Sequence, residues 1–110
     1  MSISRLSQLL AFYEANPKDS FILFALAKEY EKLGDDDKAL YYYRLSTDND
    51  PAYVGVYYHL GKLFEKTGDP ATAFSVYTKG MDIARQAGDQ HALNELAEAK
   101  LNLGDEEDWK

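Results

Sequence analysis

The stretch LAKEYEKLGDDDKALYYYRLSTDNDP, Leu26 to Pro51, returns 34 positions later as LGKLFEKTGDPATAFSVYTKGMDIAR, Leu60 to Arg85. Over the window from Ser20 to Tyr53 nine positions recur identically: Leu26, Lys28, Glu31, Lys32, Gly34, Asp35, Ala39, Tyr43 and Asp48 match Leu60, Lys62, Glu65, Lys66, Gly68, Asp69, Ala73, Tyr77 and Asp82. Ordinary composition gives about two such matches by chance. The chain is therefore built from an internal repeat, and a period in this range belongs to stacked units, each burying its apolar face against the next.

The pattern inside each unit is helical. Leu6, Leu9, Leu10 and Tyr13 fall at helix spacing between Ile3 and Ala15, with Ser2 or Ser4 as N-cap, and Asn16-Pro17 stops that helix. Asp19 caps a helix expected over about 20–33, whose buried face is Leu23, Leu26, Ala27 and Tyr30. At Gly34-Asp35 the glycine supplies a left-handed stop and the aspartate accepts the orphan amides of the following helix. So short a turn folds the next helix, about 36–47 with Ala39, Leu40, Tyr43 and Ser46 inward, back along the first. Asp50-Pro51 is predicted to open the second unit as N-cap and first-turn proline of a helix over about 52–66, burying Tyr57, Leu60, Gly61 and Phe64. Gly68-Asp69 turns the chain again, and Ala73, Phe74, Tyr77 and Gly80 face inward.

The second unit has Arg85 where the first has Pro51, so its second helix is predicted to run on to Gly88-Asp89. Leu93, Leu96, Ala97 and Gly104-Asp105 then match Tyr57, Leu60, Gly61 and Gly68-Asp69 at a spacing of 36, which makes the last helix, about 90–103, the first half of a third unit. Lys100 occupies the place of Tyr30 and Phe64, as suits a helix with no successor to cover it.

Composition narrows the function. The chain has 110 residues, a net charge of −7, no cysteine and 45% apolar residues. It is large enough for one core, and with that apolar share disorder is not the default. The acidic balance argues against binding a phosphate backbone, so no nucleic acid is expected as partner. No apolar run approaches the roughly 20 residues of a bilayer span, and the first residues do not read as a secretion signal. A cytoplasmic protein without a membrane partner is expected. Residues 105–110, Asp-Glu-Glu-Asp-Trp-Lys, form an acidic tail with the only tryptophan, Trp109. The bland reading is a solvated end; the sharper one docks Trp109 and its acidic neighbours into a groove of the same or a neighbouring chain.

Leu26-Ala27, Tyr30, Gly34, Ala39, Tyr43 and Pro51, with Tyr57, Leu60-Gly61, Phe64, Gly68, Ala73, Tyr77 and Gly80 in the second unit, resemble the tetratricopeptide repeat, a 34-residue helix hairpin signature of small and aromatic residues. Backward extension adds half a unit, with Leu9, Phe12 and Pro17 where Tyr43, Ser46 and Pro51 stand. The resemblance implies an all-α fold: a right-handed α-solenoid of antiparallel helix hairpins, with two complete units, an N-terminal half-unit helix and a C-terminal capping helix. One domain is expected over 1–104, with repeats at about 20–53 and 54–87 and the capping helix at about 90–103.

The resemblance also implies a non-catalytic protein–protein interaction module. In such proteins the first helix of each hairpin lines a concave groove that receives a peptide or helix of a partner. Carried over by position, the partner-binding residues are Phe21, Phe24 and Lys28 from the first unit, Tyr58, His59 and Lys62 from the second, and Asn94 from the capping helix. Glu31, Lys32, Glu65, Lys66, His91, Glu95 and Glu98 lie on the same faces. Two ammonium groups over an aromatic floor suit a carboxylate or an acidic, partly apolar segment. The alternatives are solvated helix pairs at Lys28-Glu31-Lys32 and Lys62-Glu65-Lys66, and aromatic rings partly covered by the chain's own helices. Neither unit carries the asparagine that carboxylate-clamp members set beside their lysines, which weakens chaperone-tail recognition as the role. A structural module that self-associates into a homo-oligomer is the alternative function. No catalytic residues, metal or cofactor are expected: His91 and Glu95 have metal-ligand spacing but lack a second pair, and His59 has no sequence-level base or nucleophile beside it.

Overall fold

The computed structural model describes residues 4–104 and 108, and every regular element within residues 4–104 is an α-helix. The order is α1 (Arg5–Ala15), α2 (Ser20–Lys32), α3 (Asp36–Asn49), α4 (Gly55–Lys66), α5 (Pro70–Ala87) and α6 (Gln90–Leu103). The chain divides after Tyr53 into two compact units, α1 to α3 and α4 to α6. In the first, α2 packs against α3 and α1; in the second, α5 packs against α4 and α6, and α4 also meets α6.

One device is used three times to end a helix and begin the next. Gly34, Gly68 and Gly88 take left-handed angles of 85°, 86° and 69° that a side chain would resist. After the first, the Gly34 N–H reaches the Glu31 carbonyl at 3.0 Å and the Asp35 N–H the Tyr30 carbonyl at 2.9 Å, a Schellman closure. The same aspartate then caps the following helix, its carboxylate accepting the Lys38 amide at 3.1 Å. Asp69 does so for Thr72 and Asp89 for Ala92, at 3.1 and 3.0 Å. Hydrogen bonds from the Thr72 hydroxyl and then its amide hold the Asp69 carboxyl below the usual carboxylate range.

The core follows the repeat. Leu23, Leu26, Ala27, Tyr30, Ala39, Tyr43 and Ser46 are buried in the first unit, and Leu40 is half-buried. In the second, Tyr57, Leu60, Gly61, Phe64, Ala73, Phe74, Tyr77 and Gly80 are buried. The Ser46 hydroxyl is satisfied by the Ser20 carbonyl at 3.3 Å, and Asn49 closes the same end of the hairpin by donating to the Lys18 carbonyl.

Two expectations need correction. Asp50-Pro51 does not open a helix at Ala52: α4 begins at Gly55, after Val54, with no side-chain cap. Asp50 instead ends α3, and its carboxylate accepts the Ala52 amide at 3.2 Å while its carbonyl accepts the Tyr53 amide at 3.1 Å. The side chain is thereby spent on a turn two residues on, which Asp favours, and cannot cap a helix three residues on. Lys100, assigned to an uncovered place, is half-buried with its ammonium 4.8 Å from the Phe74 ring centre, so α5 shields it through a cation–π contact. At the N-terminus Ser4 is the cap, accepting from the Ser7 amide. Ser2 and Ile3 lie outside the described residues, as does Trp109 of the acidic tail.

Candidate functional site

The first unit builds its site on α2. Asp19 accepts the Ile22 amide at 3.1 Å and fixes where the helix starts, which sets Phe21 on the face opposite Leu23, Leu26 and Tyr30. Phe21 is 62% exposed; several other large apolar side chains among the described residues are exposed too, but it alone of them lines the pocket that holds Lys28 and Lys32. One turn on, Phe24 is half-buried, its ring centre 6.1 Å from that of Tyr43 and 5.8 Å from that of Tyr53. Lys28 follows after another turn, its ammonium 5.4 Å above the Phe24 ring. With Arg5, Glu29 and Lys32 these side chains line a pocket of about 360 Å³. Arg5 is tied to Glu29 at 3.5 Å, which joins α1 to α2 and cancels the pocket's acid. Among the described residues neither Lys28 nor Lys32 meets a carboxylate at ion-pair distance, so the pocket is positive over an aromatic floor.

The second unit repeats the core of this arrangement on α4. Lys62 lies 5.6 Å over the Tyr58 ring, at the places of Lys28 and Phe24, and the His59 ring stands edge-on to Tyr58 at 5.6 Å. Its surroundings differ. Lys62 is paired with Glu65 at 3.6 Å, and α6 adds Glu95, Glu98 and Asn102 to a smaller pocket of about 160 Å³. Asn94 lies outside that lining; its side-chain oxygen accepts from Gln90 at 2.8 Å along α6. His91 is likewise engaged with Glu95 at 3.0 Å, one turn apart. Among the described residues no group of three or more His, Asp or Glu side chains is placed to share a metal ion. No helix among them is long and apolar enough to cross a membrane.

The recurring glutamates do a job that surface pairing does not describe. Tyr43 donates its hydroxyl to Glu31 at 2.9 Å, and Tyr77 donates to Glu65, twelve residues earlier in each case. A tyrosine from the second helix is thus anchored on the first helix of the same hairpin, directly beneath the site. The signal was present: both members of the pair are among the positions that recur unchanged. In the first unit Glu31 bonds Tyr43 and, among the described residues, makes no ion pair with Lys28 or Lys32, whereas Glu65 serves both Tyr77 and Lys62.

Burial, then the hydrogen bond to Glu31 and its charge, push the Tyr43 hydroxyl well above its ordinary value; burial and Glu65 do the same to Tyr77. A folded-state value above the unfolded one gives stability that is whole below about pH 10, where unfolded tyrosine titrates, and is lost as pH rises beyond it. Each tyrosine should then steepen alkaline destabilisation by up to about 1.4 kcal/mol per pH unit. Urea titrations between about pH 9 and 11.5 should show this slope in the parent chain and a shallower one in Tyr43→Phe. Equal slopes would mean that Tyr43 ionises as readily folded as unfolded.

A sequence profile of the tetratricopeptide repeat matches residues 22–53 and 54–86. The chain belongs to the tetratricopeptide repeat family. The crystal structure of a tetratricopeptide repeat domain protein from Salinibacter ruber is 41% identical, with a TM-score of 0.74, and the match covers 77% of this chain and 94% of that one. The solution structure of a protein from Bordetella parapertussis is 28% identical, with a TM-score of 0.80, covering 93% and 89% of the two chains. A TPR repeat-containing protein of Pseudomonas aeruginosa is 29% identical over 96 residues, 87% of this chain and 89% of its own. Tetratricopeptide repeats generally serve as protein–protein interaction modules, typically without catalysis of their own. The matched boundary at 53/54 coincides with the division between the two compact units.

Proposed function

We propose that this tetratricopeptide repeat protein is a non-catalytic cytoplasmic module that binds an acidic, partly apolar peptide or helix of a partner protein on the first helices of its repeats. The residues that make contact are Phe21, Phe24 and Lys28 in the first unit and Tyr58, His59, Lys62 and Asn94 in the second. The observation that carries this reading is the first-unit pocket, where an exposed phenylalanine stands beside lysines that no carboxylate among the described residues neutralises. An apolar side chain of the partner covers Phe21 and Phe24, and its flanking carboxylates meet Lys28 and Lys32 as charge-assisted hydrogen bonds.

Peptide display against the full chain, with random sequences as the probe, tests this. Selected sequences should combine Asp or Glu with an aromatic or large aliphatic residue, and their affinity should fall about tenfold or more in Phe21→Ala and in Lys28→Glu, the size expected when a contact of about 1.4 kcal/mol is lost. Both side chains are exposed, so melting should be unchanged. Selection of basic peptides, or binding indifferent to both substitutions, would reject the site.

A further inference from the structure

The first-unit pocket has a size, a sign and a chemistry that one stretch of this chain matches. It is about 360 Å³, at the lower end of ligand pockets and enough for one large ring with its neighbours. Its floor is the Phe21 and Phe24 rings, and among the described residues the ammonium groups of Lys28 and Lys32 meet no carboxylate at ion-pair distance. Residues 105–110 place Asp105, Glu106, Glu107 and Asp108 immediately before Trp109, the only tryptophan in the sequence. The charge of the chain is arranged accordingly: residues 88–110 carry −5, whereas the residues lining this pocket carry a net positive charge.

We propose that the occupant of this pocket is segment 105–110 of a second copy, its indole seated on Phe21 and Phe24 and its carboxylates on Lys28 and Lys32. The inference rests on the reading of the pocket as a partner-binding site and names one partner for it. Stacking of an indole on two phenyl rings supplies the apolar contact, and the carboxylates replace water at ammonium groups left unneutralised among the described residues. A second copy is assigned as the donor because each chain carries both the segment and the pocket, so the contact can be made twice between two chains. Two copies that exchange segments reciprocally make two such contacts at once, the closed symmetric arrangement most homodimers adopt. Each contact is small, so the pairing is weak and dependent on concentration and salt.

Trp109 makes the test direct, since its emission in the full chain reports the segment alone. On dilution of the parent protein the emission should move to longer wavelength, as the indole enters water, in step with a twofold fall in mass by light scattering. Lys28→Glu combined with Lys32→Glu should hold the mass at one copy and the emission at long wavelength at every concentration, with unchanged helical circular dichroism because both side chains are exposed. Trp109→Ala removes the reporter but keeps the pocket. Mixing it with the double-lysine variant should therefore restore the shorter-wavelength emission through one segment and one pocket on different chains. Emission independent of concentration, a lysine variant that behaves as the parent, or a mixture that restores nothing would each overturn the proposal. Peptide selection on the same pocket could still succeed in that event, which separates the failure of this inference from failure of the binding reading.

Discussion

Gly61→Ala is expected to destabilise the chain by about 2–3 kcal/mol, although helix propensity alone favours alanine over glycine by about 1 kcal/mol. The sign is decided by what a methyl group at that position would meet. A Cβ there lies 2.6 Å from Cδ1 and 2.7 Å from Cζ of Tyr77, with Cε1 closer still. These are ring atoms of a side chain with no exposed surface, whose hydroxyl is held by Glu65, so the ring has nowhere to go. The first unit carries Ala27 at the same repeat position, which shows that the requirement is local to α4 and α5. Gly61→Leu should leave no folded second unit, because the total stability of a chain this size is only about 5–15 kcal/mol. Urea melts of the two variants check this. A Gly61→Ala protein as stable as its parent would mean that the Tyr77 ring can shift and that close approach of the two helices is not what the glycine is for.

Legibility in the sequence followed the length over which each interaction acts. The glycine–aspartate corners, the overrun of α5 to Gly88 and the 90–103 helix were readable because backbone closure and capping involve residues adjacent in sequence. The buried faces Leu23-Leu26-Ala27-Tyr30 and Tyr57-Leu60-Gly61-Phe64 were readable from the helical period. Val56 and Leu63 were missed: one stripe per helix assumes one neighbour, and α4 packs against both α5 and α6. The start of α4 was misplaced because Asp50-Pro51 suits both a helix cap and a turn, and only the turn's hydrogen bonds separate the two.

The candidate site was legible in residue type but not in partnership. Phe24 and Lys28, like Tyr58 and Lys62, could be placed one turn apart on a shared face from spacing alone. That Glu31 is bonded by Tyr43 while Glu65 serves both Tyr77 and Lys62 depends on side chains from different helices. This difference is what makes the two units unequal. The same lysine position is free of carboxylates in the first unit, among the described residues, and neutralised in the second, so identical letters in the repeat carry different charge to a ligand.

Tyr43→Ala is expected to cost about 3–5 kcal/mol, in the range for truncating a large buried ring, and to abolish the first-unit site with the fold. The ring is fully buried between α2 and α3, and it supports Phe24 from below at 6.1 Å, so its loss leaves both a cavity and an unsupported aromatic floor. Tyr43→Phe separates the two roles of the residue. It keeps the ring, and with it the packing, but removes the donor to Glu31, whose carboxylate is half-exposed and can turn to water; the cost should be about 1 kcal/mol. Freed from Tyr43, Glu31 is also able to turn toward Lys28, one turn away on α2, and neutralise part of the pocket. Tyr43→Phe should therefore stay folded yet bind acidic peptides several-fold more weakly. Equal costs for the Ala and Phe variants would place the stabilisation in the hydroxyl instead of the ring. Undiminished peptide binding by Tyr43→Phe would show that the Tyr43 bond to Glu31 is not what keeps Lys28 available.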